Sequence, residues 1–298
     1  MEKKILLNGK TVQRSEPYQP NPENIQEGFV GRESEMELIM AAWIANTNSL
    51  PLSPVLTGAP GVGKNRLVYE LSRYTGRDLY VFQGHEDISA EDLACTVRFS
   101  DETLNKIEYI LSPLSTCLLF GGVFFCDEIG KIRPKALSLL ASVLDERQYL
   151  DSSLLGERIH AHPAFRFIAA TNTGEECMLP EFLRSRMRPV IKIGYAPRVE
   201  IEEIIRQKFK LRMNNLSVLL DKYWTVWNAL CPDKTPTARD AIAIFSIAAN
   251  LSEFESRNRL KKFSITHRTD VFALDAGKEP VSPSGIHIEK AIKQLFGS

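Results

Sequence analysis

Short, uninterrupted apolar runs punctuate the chain between residues 54 and 194: PVLTG from Pro54, DLYVFQ from Asp78, GVFFCDE from Gly122, FRFIAATN from Phe165 and VIKIG from Val190. Runs of this length read as strands, and their continuity, in place of alternation, predicts a parallel sheet covered on both faces. Between them the spacing turns helical. After Lys64, the residues Leu67, Val68 and Leu71 share one face, and after Pro134 so do Leu137, Leu140, Ala141 and Leu144. Beyond residue 195 the strand signal fades. Ile201, Ile204, Ile205, Lys208 and Phe209 open a helical stretch, a second helix follows Thr237, and a third runs from about Pro283 with Ile288, Ile292 and Leu295 on one face. The pattern predicts an α/β domain over residues 27–195 and a small all-helical domain over 196–298. Residues 1–26 carry Pro17, Pro20 and Pro22 among polar side chains, which suits an arm or linker.

Composition changes this picture in a few respects. Lys plus Arg and Asp plus Glu number 37 each, so no global basic field draws the chain onto nucleic acid or an anionic membrane. No apolar run approaches the roughly 20 residues that span a bilayer, and the start MEKKILLNGKTVQRSE lacks a signal peptide's apolar stretch, so a cytoplasmic location is expected. Cys95, Cys117, Cys126, Cys177 and Cys231 show no CxxC spacing and read as reduced packing residues. His160 and His162 lie two apart without a cysteine partner, a poor zinc pattern.

The segment from Val55 to Leu71 reads strand, then GAPGVGKN, then helix, the context a phosphate loop requires. Gly58, Gly61 and Gly63 free the backbone to aim successive N–H groups at phosphate oxygens, with Ala59, Pro60 and Val62 completing the loop. Lys64 adds a point charge, and Asn65 and Arg66 follow at the positive end of the helix. Asn65 stands where Ser or Thr commonly offers a hydroxyl to Mg²⁺; its amide carbonyl can also ligate a hard cation. The alternative is weaker metal holding and slow hydrolysis. GxxxxGK alone arises by chance in roughly 0.09 chains of this length, so the loop needs a second signal.

That signal comes about sixty residues on. The apolar strand Val123 to Cys126 ends in Asp127 and Glu128, and two acids capping a buried strand are costly unless solvated or engaged with a cation. At the carboxyl edge of a parallel sheet, Asp127 is assigned to magnesium and Glu128 to activation of the attacking water. Standing alone, the pair has a lesser, alternative reading as the N-terminal cap of a helix.

These motifs resemble the AAA+ ATPases, and within them the MoxR and dynein-related, midasin-like branch, over about residues 28–250. GFVGR, from Gly28 to Arg32, is similar to the segment that packs by the adenine, which implies contacts from Val30 and Gly31. GHEDISAEDL at 84–93, DEIGKIRPKALSLLASVLDERQ at 127–148 and AHPAFRFIAATNT at 161–173 match that branch in order. The resemblance implies a P-loop fold with a parallel five-stranded sheet flanked by helices and a C-terminal helical lid. It implies that Asn172 helps position the lytic water, that Arg186 in LPEFLRSRM is an arginine finger with Arg184 its rival, and that Arg239 reaches the phosphates from the lid. It further implies ATP and Mg²⁺ as cofactors, a homo-oligomeric ring of about six subunits, and chaperone-like remodelling of a protein partner. MoxR-like proteins commonly act on partners with a von Willebrand A domain; none stands in this sequence, so the partner is expected to be a separate chain.

Other readings stay open at this point. A nucleic-acid motor or loader shares the motifs, against which the neutral charge argues; a nucleotide-gated scaffold with weak hydrolysis is consistent with Asn65. The basic cluster Arg257, Arg259, Lys261 and Lys262 reads first as a solvated helix end, and Trp224 and Trp227 as a packed helix face.

Overall fold

The computed structural model describes residues 4–7, 9–19, 28–45, 49–99, 107–210, 212–261 and 283–296, with the side chains of 176–177 and 256–261 left out. The basic cluster at 257–262 and the Cys177 side chain therefore lie outside the described residues. Chain contacts divide the protein into two compact units. Residues up to Gly194 form the first, except that Gly28–Gly31 join the second, which continues from Tyr195.

The strands of the first unit are β1 (Lys4–Leu7), β2 (Lys10–Gln13), β3 (Val55–Gly58), β4 (Leu79–Gln83), β5 (Cys95–Phe99), β6 (Ile107–Leu111), β7 (Gly122–Asp127), β8 (Tyr149–Ser152), β9 (Glu157–His160), β10 (Phe165–Asn172) and β11 (Val190–Lys192). The five continuous apolar runs form one five-stranded sheet in the order β11-β3-β10-β7-β4. Every pairing in it is parallel. All six residues of β7 and the first seven of β10 are buried, as strands sandwiched between helices must be. Phe124 of β7 packs between Phe82 and Phe167 at ring separations of 6.3 and 5.7 Å, binding three adjacent strands through one apolar layer. Helices Lys64–Thr75 and Pro113–Phe120 follow β3 and β6. Leu67, Val68 and Leu71 are fully buried on the inner face of the first of these.

Two features depart from the apolar pattern. Where the prolines suggested an arm, β1 and β2 pair as a hairpin, and β2 joins β6 and β5 in a four-stranded sheet. One face of that sheet carries Glu108 bridged to Lys4 and Arg98, while Val12, Cys95 and Leu111 are buried. The chain then runs on as a strap. Ser15 bonds Leu111 O and Thr116 Oγ1, and the Tyr18 N–H donates to Leu79 O at 2.6 Å, on the exposed side of edge strand β4. After Pro134, two one-turn helices, Pro134–Leu137 and Leu140–Val143, replace one continuous helix. The Ser138 hydroxyl donates to Lys135 O at 2.7 Å, a local bond that competes with helix continuation.

The second unit packs helices Arg198–Phe209, Leu216–Leu230, Ala238–Lys261 and Gly285–Phe296 around Phe209, Tyr223, Trp227 and Phe245. Thr237 and Asp240 form a reciprocal capping box that starts the long third helix. Trp224 and Trp227 pack as a helix face, Ile288 and Ile292 are fully buried, and Leu295, expected beside them, is 42% exposed. The Tyr223 ring is wholly buried and its hydroxyl has no hydrogen-bond partner among the described residues. A buried hydroxyl without a partner carries an uncompensated desolvation cost, so Tyr223→Phe is expected to stabilise the protein by about 1 kcal/mol, read as a higher urea midpoint at unchanged slope.

Candidate nucleotide-binding site

The parallel register collects the candidate chemistry along one edge of the sheet. Asn172, last in β10, pairs with Gly58, last in β3, and Asp127, last in β7, pairs with Gln83, last in β4. Gly58 is required by crowding, since a Cβ there would strike the Ile193 carbonyl. Gly61 (φ 86°) and Gly63 (φ 103°) are left-handed, so the backbone of Ala59 to Gly63 curls ahead of helix Lys64–Thr75. Val62, 5% exposed, anchors the loop from below, while Pro60 faces solvent and Arg66 lies half-buried in the first helical turn.

Lys64 is only 8% exposed. Its ammonium group donates to Gly58 O at 2.7 Å, Ala59 O at 3.2 Å and Asn172 Oδ1 at 3.2 Å. Asn172 is itself held by Glu175, whose carboxylate accepts from the Asn172 backbone N–H and Nδ2 and from Thr171 Oγ1 at 3.1–3.2 Å. Desolvation pulls the Glu175 pKa upward, but these bonds and the charge of Lys131 outweigh it and hold the carboxyl below the usual glutamate range.

Asp127 is 8% exposed and accepts from Asn65 Nδ2 at 2.5 Å and from the Glu128 N–H at 2.9 Å. Burial dominates and raises its pKa despite those bonds, so its anion is poorly solvated and suited to a neighbouring cation. Glu128 takes a left-handed conformation (φ 52°) that is uncommon for a residue with a side chain. Its Oε2 accepts from Gln83 Nε2 and Lys131 Nζ, both at 2.8 Å. Gly84 lies directly against the Glu128 carbonyl and leaves no room for a Cβ. The residues fit a phosphate and a divalent cation: glycine-shaped N–H groups and Lys64 on one side, a desolvated carboxylate and an amide oxygen on the other.

Arg184 and Arg186 follow β10 and precede β11 in the first unit. Arg186 donates to Phe182 O at 2.6 Å and Asp145 Oδ2 at 3.4 Å, and its Nε has no partner among the described residues. Asp145 is bound chiefly by Arg147, whose hydrogen bond brings the carboxyl down to about 2. Arg184 is exposed at the end of helix Glu181–Arg184. Arg239, exposed in the first turn of Ala238–Lys261, and Val30 and Gly31 belong to the second unit, where a Cβ on Gly31 would meet the Glu200 carboxylate at 2.5 Å. His160 packs edge-on against Tyr149, and His162 Nδ1 accepts from the Ala164 N–H at 3.0 Å.

Gln83, Lys131 and Glu175 escaped the sequence reading. Gln83 ends an apolar run as Asp127 and Asn172 do, a signal that was present; Glu175 and Lys131 each lie three residues past an assigned residue, close enough to fold back on it. Tyr69, one helical turn after Asn65, also escaped. Its ring stacks on Tyr18 of the strap at 4.9 Å.

Residues 53–187 match the family described as AAA domain (dynein-related subfamily). An uncharacterized protein of Staphylococcus saprophyticus is 31% identical over 161 residues, 53% of this chain and 61% of its own length. A second, from Staphylococcus haemolyticus, is 31% identical over 162 residues with the same coverage. The matched region thus spans about three fifths of these relatives. Among solved structures, a RuvB variant from Thermotoga maritima aligns with TM-score 0.57 at 18% identity over 91% of this chain and 73% of its own. The FIGL-1 AAA domain in complex with ADP gives 0.54 at 13% identity, covering 89% and 82%, and a structure described as the basis of katanin self-assembly gives 0.52 at 16%, covering 90% and 83%. At these identities the likeness is one of fold.

The Glu175 contacts make a stability prediction. Glu175→Ala leaves the buried Thr171 hydroxyl and the Asn172 amide without their acceptor and is expected to cost about 1–2 kcal/mol in urea unfolding. Because the folded pKa is depressed, the contribution is present above the ordinary glutamate value of about 4.3 and fades as pH falls through the lower folded value, so the wild-type and mutant curves converge in acid.

Proposed function

For a chain whose residues 53–187 match the family described as AAA domain (dynein-related subfamily), we propose Mg²⁺-dependent hydrolysis of ATP, coupled to ring assembly and to remodelling of a protein partner in the manner of MoxR-like chaperones. The observation that carries the proposal is the convergence of Lys64, Asn65, Asp127, Glu128 and Asn172 at one sheet edge through the register of β3, β10 and β7.

Each group has a task that its surroundings support. The N–H groups of Gly61, Val62 and Gly63 and the Lys64 ammonium hold the phosphates, the ammonium exchanging its bonds to Gly58 O and Ala59 O for phosphate oxygens. Asp127 and the carbonyl of Asn65 hold the cation, which when bound supplies positive charge to the phosphate oxygens. Glu128 takes the proton of the attacking water, and Gln83 and Lys131 orient its carboxylate. Asn172, braced by Glu175, orients the water or the terminal phosphate. Val30 and Gly31 contact the base, and Arg239 reaches the phosphates from the helical unit. Arg186 leaves Asp145 to serve the nucleotide of an adjoining subunit, with Arg184 the exposed rival. Support for nucleotide binding and self-association also comes from the neighbours of like fold, one solved with ADP and one described by its self-assembly. The partner in this reading is a protein of the kind that carries a von Willebrand A domain.

One observation favours a second reading. Asn65 bonds Asp127 directly, and an amide that competes with the cation for that carboxylate suits a nucleotide-gated scaffold with slow turnover.

Magnesium-dependent ATP turnover of wild type and Glu128→Gln, with assembly followed by light scattering, separates the two. The remodelling ATPase predicts turnover by wild type, a loss of about 10²–10⁴-fold in the mutant, and an ATP-bound oligomer in both. Assembly with ATP but no wild-type turnover supports the scaffold, and absence of ATP binding overturns both.

A further inference from the structure

Asn65 poses a problem that a Ser or Thr at the same position does not. A hydroxyl presents the same oxygen to a cation in any orientation, whereas an amide has one end that donates and one that accepts, and only its carbonyl oxygen ligates a cation. Something must fix which end faces the metal. Asp127 does part of this, since an amide that meets a carboxylate oxygen at 2.5 Å must turn its NH2 toward it. That contact uses one of the two amide hydrogens, and a single bond would leave the side chain free to pivot.

Helix Lys64–Thr75 places Tyr69 one turn beyond Asn65 on the same face. The phenol ring is held from the other side by Tyr18, stacked at 4.9 Å with 25° between the planes. Tyr18 is in turn pinned by its backbone bond to Leu79 of β4 and, through Ser15, by bonds to Leu111 and Thr116. We propose that Tyr69, backed by Tyr18 of the strap, is a positioning residue for the divalent cation: its oxygen takes the second amide hydrogen of Asn65, so that the Asn65 carbonyl faces the cation beside Asp127. The inference rests on the nucleotide reading above and assigns to the strap a part in it. Burial, then the neighbouring Tyr18, then the charge of Asp127 push the Tyr69 phenol up to about 12, with Asn65 acting in the opposite sense. A phenol hydroxyl carries both lone pairs and a hydrogen, so the Tyr69 oxygen is able to accept from the amide while keeping its own hydrogen to donate.

The test is a double-mutant cycle on cation binding, read by Mn²⁺ electron paramagnetic resonance with ATP-loaded protein, alongside the affinity for a fluorescent ATP analogue in EDTA. Tyr69→Phe keeps the stacked ring and removes only the oxygen. It is expected to weaken Mn²⁺ binding about fivefold while the metal-free nucleotide affinity stays within about twofold. In an Asn65→Thr background, where a hydroxyl needs no orienting, the same change is expected to alter Mn²⁺ binding by less than about twofold. Wild-type Mn²⁺ affinity in Tyr69→Phe, or an equal loss in the Asn65→Thr background, overturns the inference. Should circular dichroism find Tyr69→Phe unfolded, Tyr18→Phe carries the same cycle with the same expected direction and the same overturning results. Failure of wild type to bind the analogue in EDTA is a separate readout and overturns the nucleotide reading, and this inference with it.

Discussion

The pairing of β10 with β3 on one side and β7 on the other is the constraint on which the site depends. Asn172 reaches Lys64 only because its strand ends in step with Gly58, and Asp127 reaches Asn65 only because β7 ends at the same edge. A parallel sheet ends its strands together on the side where the connecting helices begin, so polar groups that follow buried apolar runs converge there. The apolar layer of Phe82, Phe124 and Phe167 holds that edge in place. Packing and chemistry are therefore not separable: the residues that keep the strands in register also set the distances at the site.

The site carries conformational and electrostatic cost. Glu128 sits in left-handed backbone, Asp127 is a desolvated anion, and Gly58 and Gly84 are pressed so closely to neighbouring carbonyls that no side chain fits. Such features persist where the surrounding structure overdetermines them and where the strained arrangement has a use. Second contacts relieve part of the cost: Glu175 braces Asn172, and Gln83 with Lys131 engages Glu128. The strap from β2 to Tyr18 adds a further support from outside the central sheet, covering the edge of β4 and stacking on Tyr69.

The legibility of the fold followed burial. Strands covered on both faces are written as continuous apolar runs, and all five emerged from the pattern at the right places. The hairpin of β1 and β2, with one half-exposed face and only four residues in each strand, left a weak alternation masked by the prolines beyond it. Asn8-Gly9 between KILL and KTVQ was a turn signal that outweighs those prolines, and Gly9 indeed has φ 72°. The broken helix after Pro134 kept its helical spacing of leucines, so only the Ser138 side-chain bond reveals the break.

From the residues alone came the glycine-rich loop before a helix, the two acids at the end of an apolar strand, and the helical faces of both units. These are local properties: backbone freedom, charge and periodicity within a few residues of one another. Tertiary structure decided which groups meet. Lys64 finds Asn172 108 residues away, Asn65 finds Asp127 62 residues away, and Arg186 settles on Asp145, 41 residues before it. The spacing of strands along a chain does not encode their order in the sheet, because each crossover can return the chain to either side of the strand before it. That order, and the contacts it creates, exist only once the core has packed.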